Sequence, residues 1–280
     1  MIHRNRQNQE NGNKKGATME ISEAELNARI VELDEIHHDV SLPALQEGAK
    51  DWADEVARER SQVEARSRVN RRTFLLGVGA TVGAGALLAA CGASSSATKA
   101  SSSSTTPTLS ASTLSDLHVA ALAASLENLG VYAYTAGINA AKAGKLGAVP
   151  PAVVVFAETA RAQHKEHGAA WNAILRASGK PAVTVTDPVL TPVVNKDFAS
   201  VSNTVDLAKL ALEIEDIAGE TYLSAVGVLA QPIAIRTAAS IEPVEMQHSA
   251  ILNFILGTYP VPNAFEPTTL ARSTSDYPKL

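Results

Sequence analysis

The sequence predicts an all-α protein whose folded part is a four-helix bundle with one long crossover connection. Three observations carry that expectation. Four long helical patterns lie between about residue 115 and residue 257. The joints within the first and second pairs are short. The joint between the pairs is roughly 24 residues and holds Pro181, Pro188 and Pro192, which is long for a compact domain. Helix one runs from about Ser115, a plausible N-cap, to Ala143, with Gly144 as its stop. Helix two runs from Pro150 to Ser178 and ends at Gly179. Helix three covers about Thr204 to Ala230, and Pro232 opens helix four, which ends at Gly257. Each would be on the order of 40 Å long. Short joints make antiparallel hairpins, and the long one can cross the bundle from end to end, giving an up-down-down-up order.

Composition narrows the function. The chain has 280 residues and a formal net charge of -5, with pI ≈ 5.8. That balance argues against a nucleic-acid partner, which would call for a basic stripe. Apolar residues make up 45% but aromatics only 4%, so the core must be built from Ala, Val, Leu and Ile. A single cysteine excludes a disulfide framework and any thiolate metal cluster. A mean hydropathy of +0.01 is too low for a polytopic membrane protein. There is no Gly-x-Ser-x-Gly elbow, no P-loop and no His-Glu-x-x-His, so hydrolase chemistry has little support. His164 and His167 lie three apart, not four.

One apolar run stands apart. From Phe74 to Ala90 it is shorter than the ~20 residues of a spanning helix, and Gly77, Gly79, Gly83 and Gly85 dilute it. A basic flank, a short apolar core and small residues at its end make a signal peptide. Arg71-Arg72-Thr73-Phe74-Leu75 resembles the twin-arginine export motif. Leu88-Ala89-Ala90-Cys91 resembles a bacterial lipobox, in which Cys91 is lipidated and becomes the mature N-terminus. That commits the only cysteine to an anchor. The expected partners are the twin-arginine export machinery, which carries folded proteins, and the outer face of the cytoplasmic membrane. The chain then divides into an extension (1–69), the signal and lipobox (70–91), a Ser/Thr-rich linker (92–114), the bundle (115–258) and a tail (259–280). Residues 1 to 18 read as disordered and Leu45 to Val69 as a charged helix. The extension is a cytoplasmic segment or the product of a misassigned start, Met19 being a candidate, and no function is read from it. His37 and His38 read as a solvated pair.

The two hairpins resemble each other. Helix one has Leu126-Glu127-Asn128-Leu129 with Tyr134; helix three has Ile214-Glu215-Asp216-Ile217 with Tyr222. In both, Tyr follows Glu by seven residues, two turns along one face. Helix two carries His167, Asn172 and Leu175; helix four carries His248, Asn253 and Leu256 in the same register. Each helix thus places one or two ionisable groups in a stripe that should be buried. Glu127 shares its face with Ala120, Ala123, Ala124 and Val131; Glu215 with Ala208, Ala211 and Leu212. His248 shares its face with Ile241, Val244 and Ile251, and His167 with Ala160 and Trp171. An unpaired buried charge costs several kcal/mol, so four such helices imply that the groups meet and compensate each other. A metal ion is the simplest compensator, and hard oxygens with imidazoles suit iron or manganese.

Glu245-Met246-Gln247-His248 places a carboxylate and an imidazole one turn apart. With Glu127 and Glu215 it resembles the exported, lipoprotein-associated kind of ferritin-like domain. That superfamily's two-metal centre takes one Glu from each of two helices and Glu-x-x-His from each of the other two. The resemblance implies metal ligation by Glu127, Glu215, Glu245 and His248, with His164 and His167 on helix two. It also implies outer-shell hydrogen bonding by Tyr134 and Tyr222. Helix two departs from the pattern, because His164 stands where a Glu is expected. Glu166 cannot replace it, being about 100° around the helix from His167. Glu158 and Glu220 point elsewhere and are expected at the surface, and His118 is expected to be exposed. Glu242 precedes Pro243, where a kink in helix four is expected.

Two functions stay open on sequence. One is a metal-dependent oxidoreductase or iron-handling protein, in which a carboxylate-bridged metal pair meets dioxygen or peroxide. The other is a metal-free cell-envelope lipoprotein with a binding or structural role, its inward carboxylates satisfied by Tyr, His and water. Five surviving ligand positions favour the first, and the Glu-to-His departure favours the second. Either leaves room for a homo-oligomer, while a closed storage shell is not expected of a lipid-tethered chain.

Overall fold

The computed structural model describes residues 22–79 and 109–276, and all regular structure there is helical. The bundle consists of α3 (Ala111–Lys142), α4 (Pro151–Ala177), α6 (Thr204–Val228) and α7 (Pro232–Ile255), with a short α5 (Leu190–Phe198) in the crossover. Helix α3 starts earlier than Ser115. Ser110 is its N-cap and accepts from the Thr113 amide. Gly144, Gly179 and Gly257, read from sequence as stops, have φ of 71°, 75° and 69°, the left-handed conformation that closes a helix. Helix α7 runs through Pro243 without ending there.

The crossover is built, not slack. Asn128 Nδ2 on α3 donates to the carbonyls of Val183 and Val185 at 3.1 and 3.0 Å. Asn172 on α4 exchanges two hydrogen bonds with the Val183 backbone. Buried Asp187 accepts from the amides of Val189 and Leu190 and starts α5. Leu190 and Val194 then pack on Leu126, Leu129, Ile214 and Ile217, so α5 covers the α3–α6 side.

The opposite side is covered by the extension. Helix α1 (Glu23–Ile36) opens with a capping box, Ser22 and Glu25 satisfying each other's backbone amides. A π-helical turn (His37–Ser41) joins it to α2 (Leu42–Gly79). Pro43 gives that turn its cause: it has no amide hydrogen, its ring crowds the carbonyl four residues back, and the ladder widens. Leu26, Ile30 and Leu33 of α1 pack with Phe156 of α4 and Ile251 and Leu252 of α7. Leu45, Trp52 and Val56 of α2 pack with Trp171, Ile174 and Ile241. Gly48 permits the approach, since a Cβ there would lie 2.7 Å from Thr237 Oγ1. Glu59 accepts from the Ser110 amide and, at 2.5 Å, from the Thr113 hydroxyl, tying α2 to the start of α3.

One expectation is extended here and one is corrected. The charged helix read from Leu45 to Val69 lies within α2, which with α1 forms a helical layer on the bundle. His37 is not solvated: it is 0% exposed, while His38 stays at the surface. The twin arginines Arg71 and Arg72, with Phe74, fall in the last turns of α2. Cys91 and most of the linker lie outside the described residues. No helix among the described residues is long and apolar enough to cross a membrane.

Trp52 stands edge-on to Trp171 with ring centroids 6.0 Å apart. Trp52→Ala is expected to weaken docking of α2 by about 3–5 kcal/mol, the usual cost of truncating a buried Trp. Hydrogen exchange should show protection lost in α1 and α2 while α3, α4, α6 and α7 keep theirs.

Candidate metal centre

Helical periodicity puts one polar cluster at mid-bundle. Glu127 comes from α3, His164 and His167 from α4, Glu215 from α6, and Glu245 and His248 from α7. All six are between 0% and 2% exposed. The structure brings every one of these sequence-selected residues together. Their candidate ligand atoms form two groups, each within 4.8 Å: Glu127, His164, His167 and Glu245, and His164, Glu215, Glu245 and His248. His164 and Glu245 belong to both, so the groups are adjacent halves of one centre.

The contacts repeat across the halves. His167 Nδ1 lies 3.0 Å from Glu245 Oε1 and 3.6 Å from Glu127 Oε2. His248 Nδ1 lies 3.2 Å from Glu245 Oε2 and 3.4 Å from Glu215 Oε2. His164 spans the two, with Nδ1 2.8 Å from Glu127 Oε2 and Nε2 3.2 Å from Glu215 Oε1. The imidazole in place of the expected carboxylate therefore bridges α3 and α6 instead of leaving a gap. Gly130 makes room for it, because a Cβ there would sit 2.8 Å from the ring.

A neutral imidazole has one lone pair. His164 can thus serve one half at a time while its other nitrogen donates to the opposite carboxylate. The two halves are chemically unequal for that reason.

The tyrosines cross over. Tyr134 on α3 donates to Glu215 Oε1 on α6, and Tyr222 on α6 donates to Glu127 Oε1 on α3. The sequence puts each Tyr two turns from the Glu of its own helix and on the same face; in the structure it donates to the Glu of the other helix. Sequence reasoning missed Gln163 and the role of Trp171. Gln163 Oε1 lies 2.7 Å from His248 Nε2, and Trp171 Nε1 donates to Tyr222 at 2.8 Å. Gln163 was findable, being four residues before His167 and so on its face. Glu158 is at the surface near Lys142, as expected. Glu220 is not: it is 2% exposed and accepts from the Leu270 amide. Glu166 faces away from the centre and meets His37 Nε2 at 3.0 Å.

Electrostatics follow from this packing. Burial would raise the Glu127 carboxyl, but His167 and His164 overcome it and lower the pKa to about 2. Burial would lower His167, but Glu127 and Glu245 raise it to about 9. His164 and His248 are likewise held above the ordinary imidazole range against burial, by Glu215 and Glu245. Glu215 is pulled well below the carboxylate range, against burial, by His164 and His248. Both phenols stay protonated through burial and the facing carboxylates. In the metal-free centre, protons on the imidazoles do the compensating.

The residues fit a metal ion. Three carboxylates and three imidazoles are the donor set for a first-row divalent or trivalent cation. Glu215 Oε2 is buried and makes no hydrogen bond, and Gln163 holds the far nitrogen of His248 so that Nδ1 faces the cluster.

The pH dependence of the metal-free protein follows. His167 is raised from 6.5 to about 9, so its contribution is complete below 6.5 and lost as pH climbs through about 9. Glu127 is lowered from 4.5 to about 2, so its contribution is complete above 4.5 and lost as pH falls through about 2. Urea midpoints measured on metal-free protein should therefore be highest between 4.5 and 6.5 and fall on both sides.

Residues 115–258, just over half of the chain, match the Ferritin-like domain family. No curated protein and no solved structure matches the chain. The all-helical bundle, the buried Glu/His centre and this match agree, and the chain belongs to the Ferritin-like domain family.

Proposed function

We propose that this is an exported, lipid-anchored protein whose bundle binds one or two iron or manganese ions in an oxidoreductase or iron-handling role. One observation carries the reading: two buried groups of four ligand atoms that share His164 and Glu245. Glu127 and His167 would hold one position, Glu215 and His248 the other, with Glu245 between them. When bound, such an ion supplies one-electron chemistry toward dioxygen or peroxide. The chain's own part is to exclude water, to orient the carboxylates through Tyr134 and Tyr222, and to fix the His248 tautomer through Gln163. The sequence supports the location: Arg71-Arg72 and Phe74 precede a short apolar core that ends in Leu88-Ala89-Ala90-Cys91. The partners on this reading are the twin-arginine machinery and, through lipidated Cys91, the membrane surface.

Metal analysis of purified protein beside Glu215→Ala and His248→Ala tests the reading. Stoichiometric iron or manganese, lost in both variants, is expected; a wild type that takes up no metal on reconstitution would overturn it and leave a metal-free envelope lipoprotein. Binding must displace protons from the raised imidazoles, so calorimetry in buffers of different ionisation enthalpy should show proton release, with affinity rising toward pH 9. Gln163→Ala should weaken binding about 10–100-fold, the usual effect of removing a ligand's outer partner.

A further inference from the structure

We infer that the N-terminal helix pair is a detachable lid on the metal centre, closed in the uncut chain and lost when the chain is cut before Cys91. Its effect on the metal rests on the function proposed above; its detachment does not.

The lid reaches the centre at two points. His37, in the π-helical turn, is fully buried with its ring 5.4 Å from that of His167 and its Nε2 on Glu166. Its Nδ1 is buried without a hydrogen bond. A π turn in a helix often marks a functional position, and here it seats this imidazole behind a candidate ligand. The second point is a relay. Trp52 covers Trp171, Trp171 donates to Tyr222, and Tyr222 donates to Glu127. Removing α1 and α2 therefore uncovers the outer side of His167 and of the Trp171–Tyr222 brace.

The lid is nonetheless separate from the domain it covers. It lies wholly outside residues 115–258, which hold all six candidate ligands and both braces. The stretch of sequence between lid and bundle carries the lipobox and a run of Ser, Thr and Ala. While that stretch is whole, docking is intramolecular, at an effective concentration on the order of millimolar. After a cut it becomes bimolecular, and the same contacts must hold at the far lower concentration of the protein itself. Across the seam Glu59 accepts from the Ser110 amide and the Thr113 hydroxyl and His37 meets Glu166, while the ion pair of Arg236 and Asp51, 3.7 Å apart and half-exposed, adds little. The uncut chain would thus keep its ion enclosed, and the cut chain would open the α4–α7 side to small molecules.

The test uses the full chain with a protease recognition sequence placed within Ser101–Ser104. The protein is loaded with Mn²⁺, cut, and diluted to about 1 µM, well below the effective concentration of the tethered lid. Size exclusion should show the lid fragment leaving while circular dichroism reports an intact bundle. Trp52 and Trp171 are the chain's two tryptophans, so their emission should shift to the red and become accessible to acrylamide. Transfer of Mn²⁺ to EDTA should accelerate by roughly tenfold or more, as expected when a closed site no longer needs local opening. A fragment that stays on the bundle with both tryptophans shielded would overturn detachment. A fragment that leaves without changing the transfer rate would overturn gating. If the uncut protein takes up no metal, the proposed function fails, and the gel-filtration and fluorescence arms still decide whether the lid detaches.

Discussion

Three carboxylates and three imidazoles share one buried space inside a bundle lined mostly by small apolar side chains, and the rest of the structure is arranged around that demand. Any one of these groups alone would be expelled to water or forced neutral. Together they hold each other, with contacts of about 3 Å running across all four helices. The charge balance is therefore a property of the assembled bundle and of no single helix. A metal ion would compete with protons for that role, since an imidazole that has taken up a proton has no lone pair left to give.

Alanine and glycine matter because they set how closely the helices approach. Gly168 on α4 faces Glu127, where a Cβ would come within 3.1 Å of the glutamate's own Cβ. Gly130 does the same for the His164 ring. A core of larger residues would push α3 and α4 apart and pull the imidazoles away from the carboxylates. The low aromatic content is a condition of the centre. The few aromatics inside are placed to serve it: Tyr134, Tyr222 and Trp171 by hydrogen bonds, and Phe156 edge-on to His248.

Much of this was legible in the chain. Charged residues recurring at helical spacing inside apolar stripes announced Glu127, Glu215, Glu245 and His248, and the matching halves added His164 and His167. The crossover was legible as a length, but its helix α5 was hidden among prolines, because its two buried anchors, Leu190 and Val194, are too few to make a pattern. The N-terminal layer was missed for a different reason. Leu26, Ile30 and Leu33 repeat at four and three, and Leu45, Trp52 and Val56 at seven and four, which is a one-faced stripe in each case. Dense charge around the stripes masks them, so only a charged helix is legible at Leu45 to Val69. The export motif that follows sets these residues apart from the bundle, so the stripes have no expected partner.

The crossed tyrosines make each half of the bundle depend on the other. Tyr134 and Glu127 belong to one hairpin and Tyr222 and Glu215 to the other, and each phenol bonds the glutamate of the opposite hairpin. A second copy of either hairpin, related by a twofold axis, would supply the same donor to the same acceptor. The two halves of the bundle are thus joined by a pair of reciprocal bonds with approximate twofold symmetry. His164, which stands opposite Glu245, is where that symmetry fails, and an assembly of two identical hairpins could not place an imidazole on one side and a carboxylate on the other.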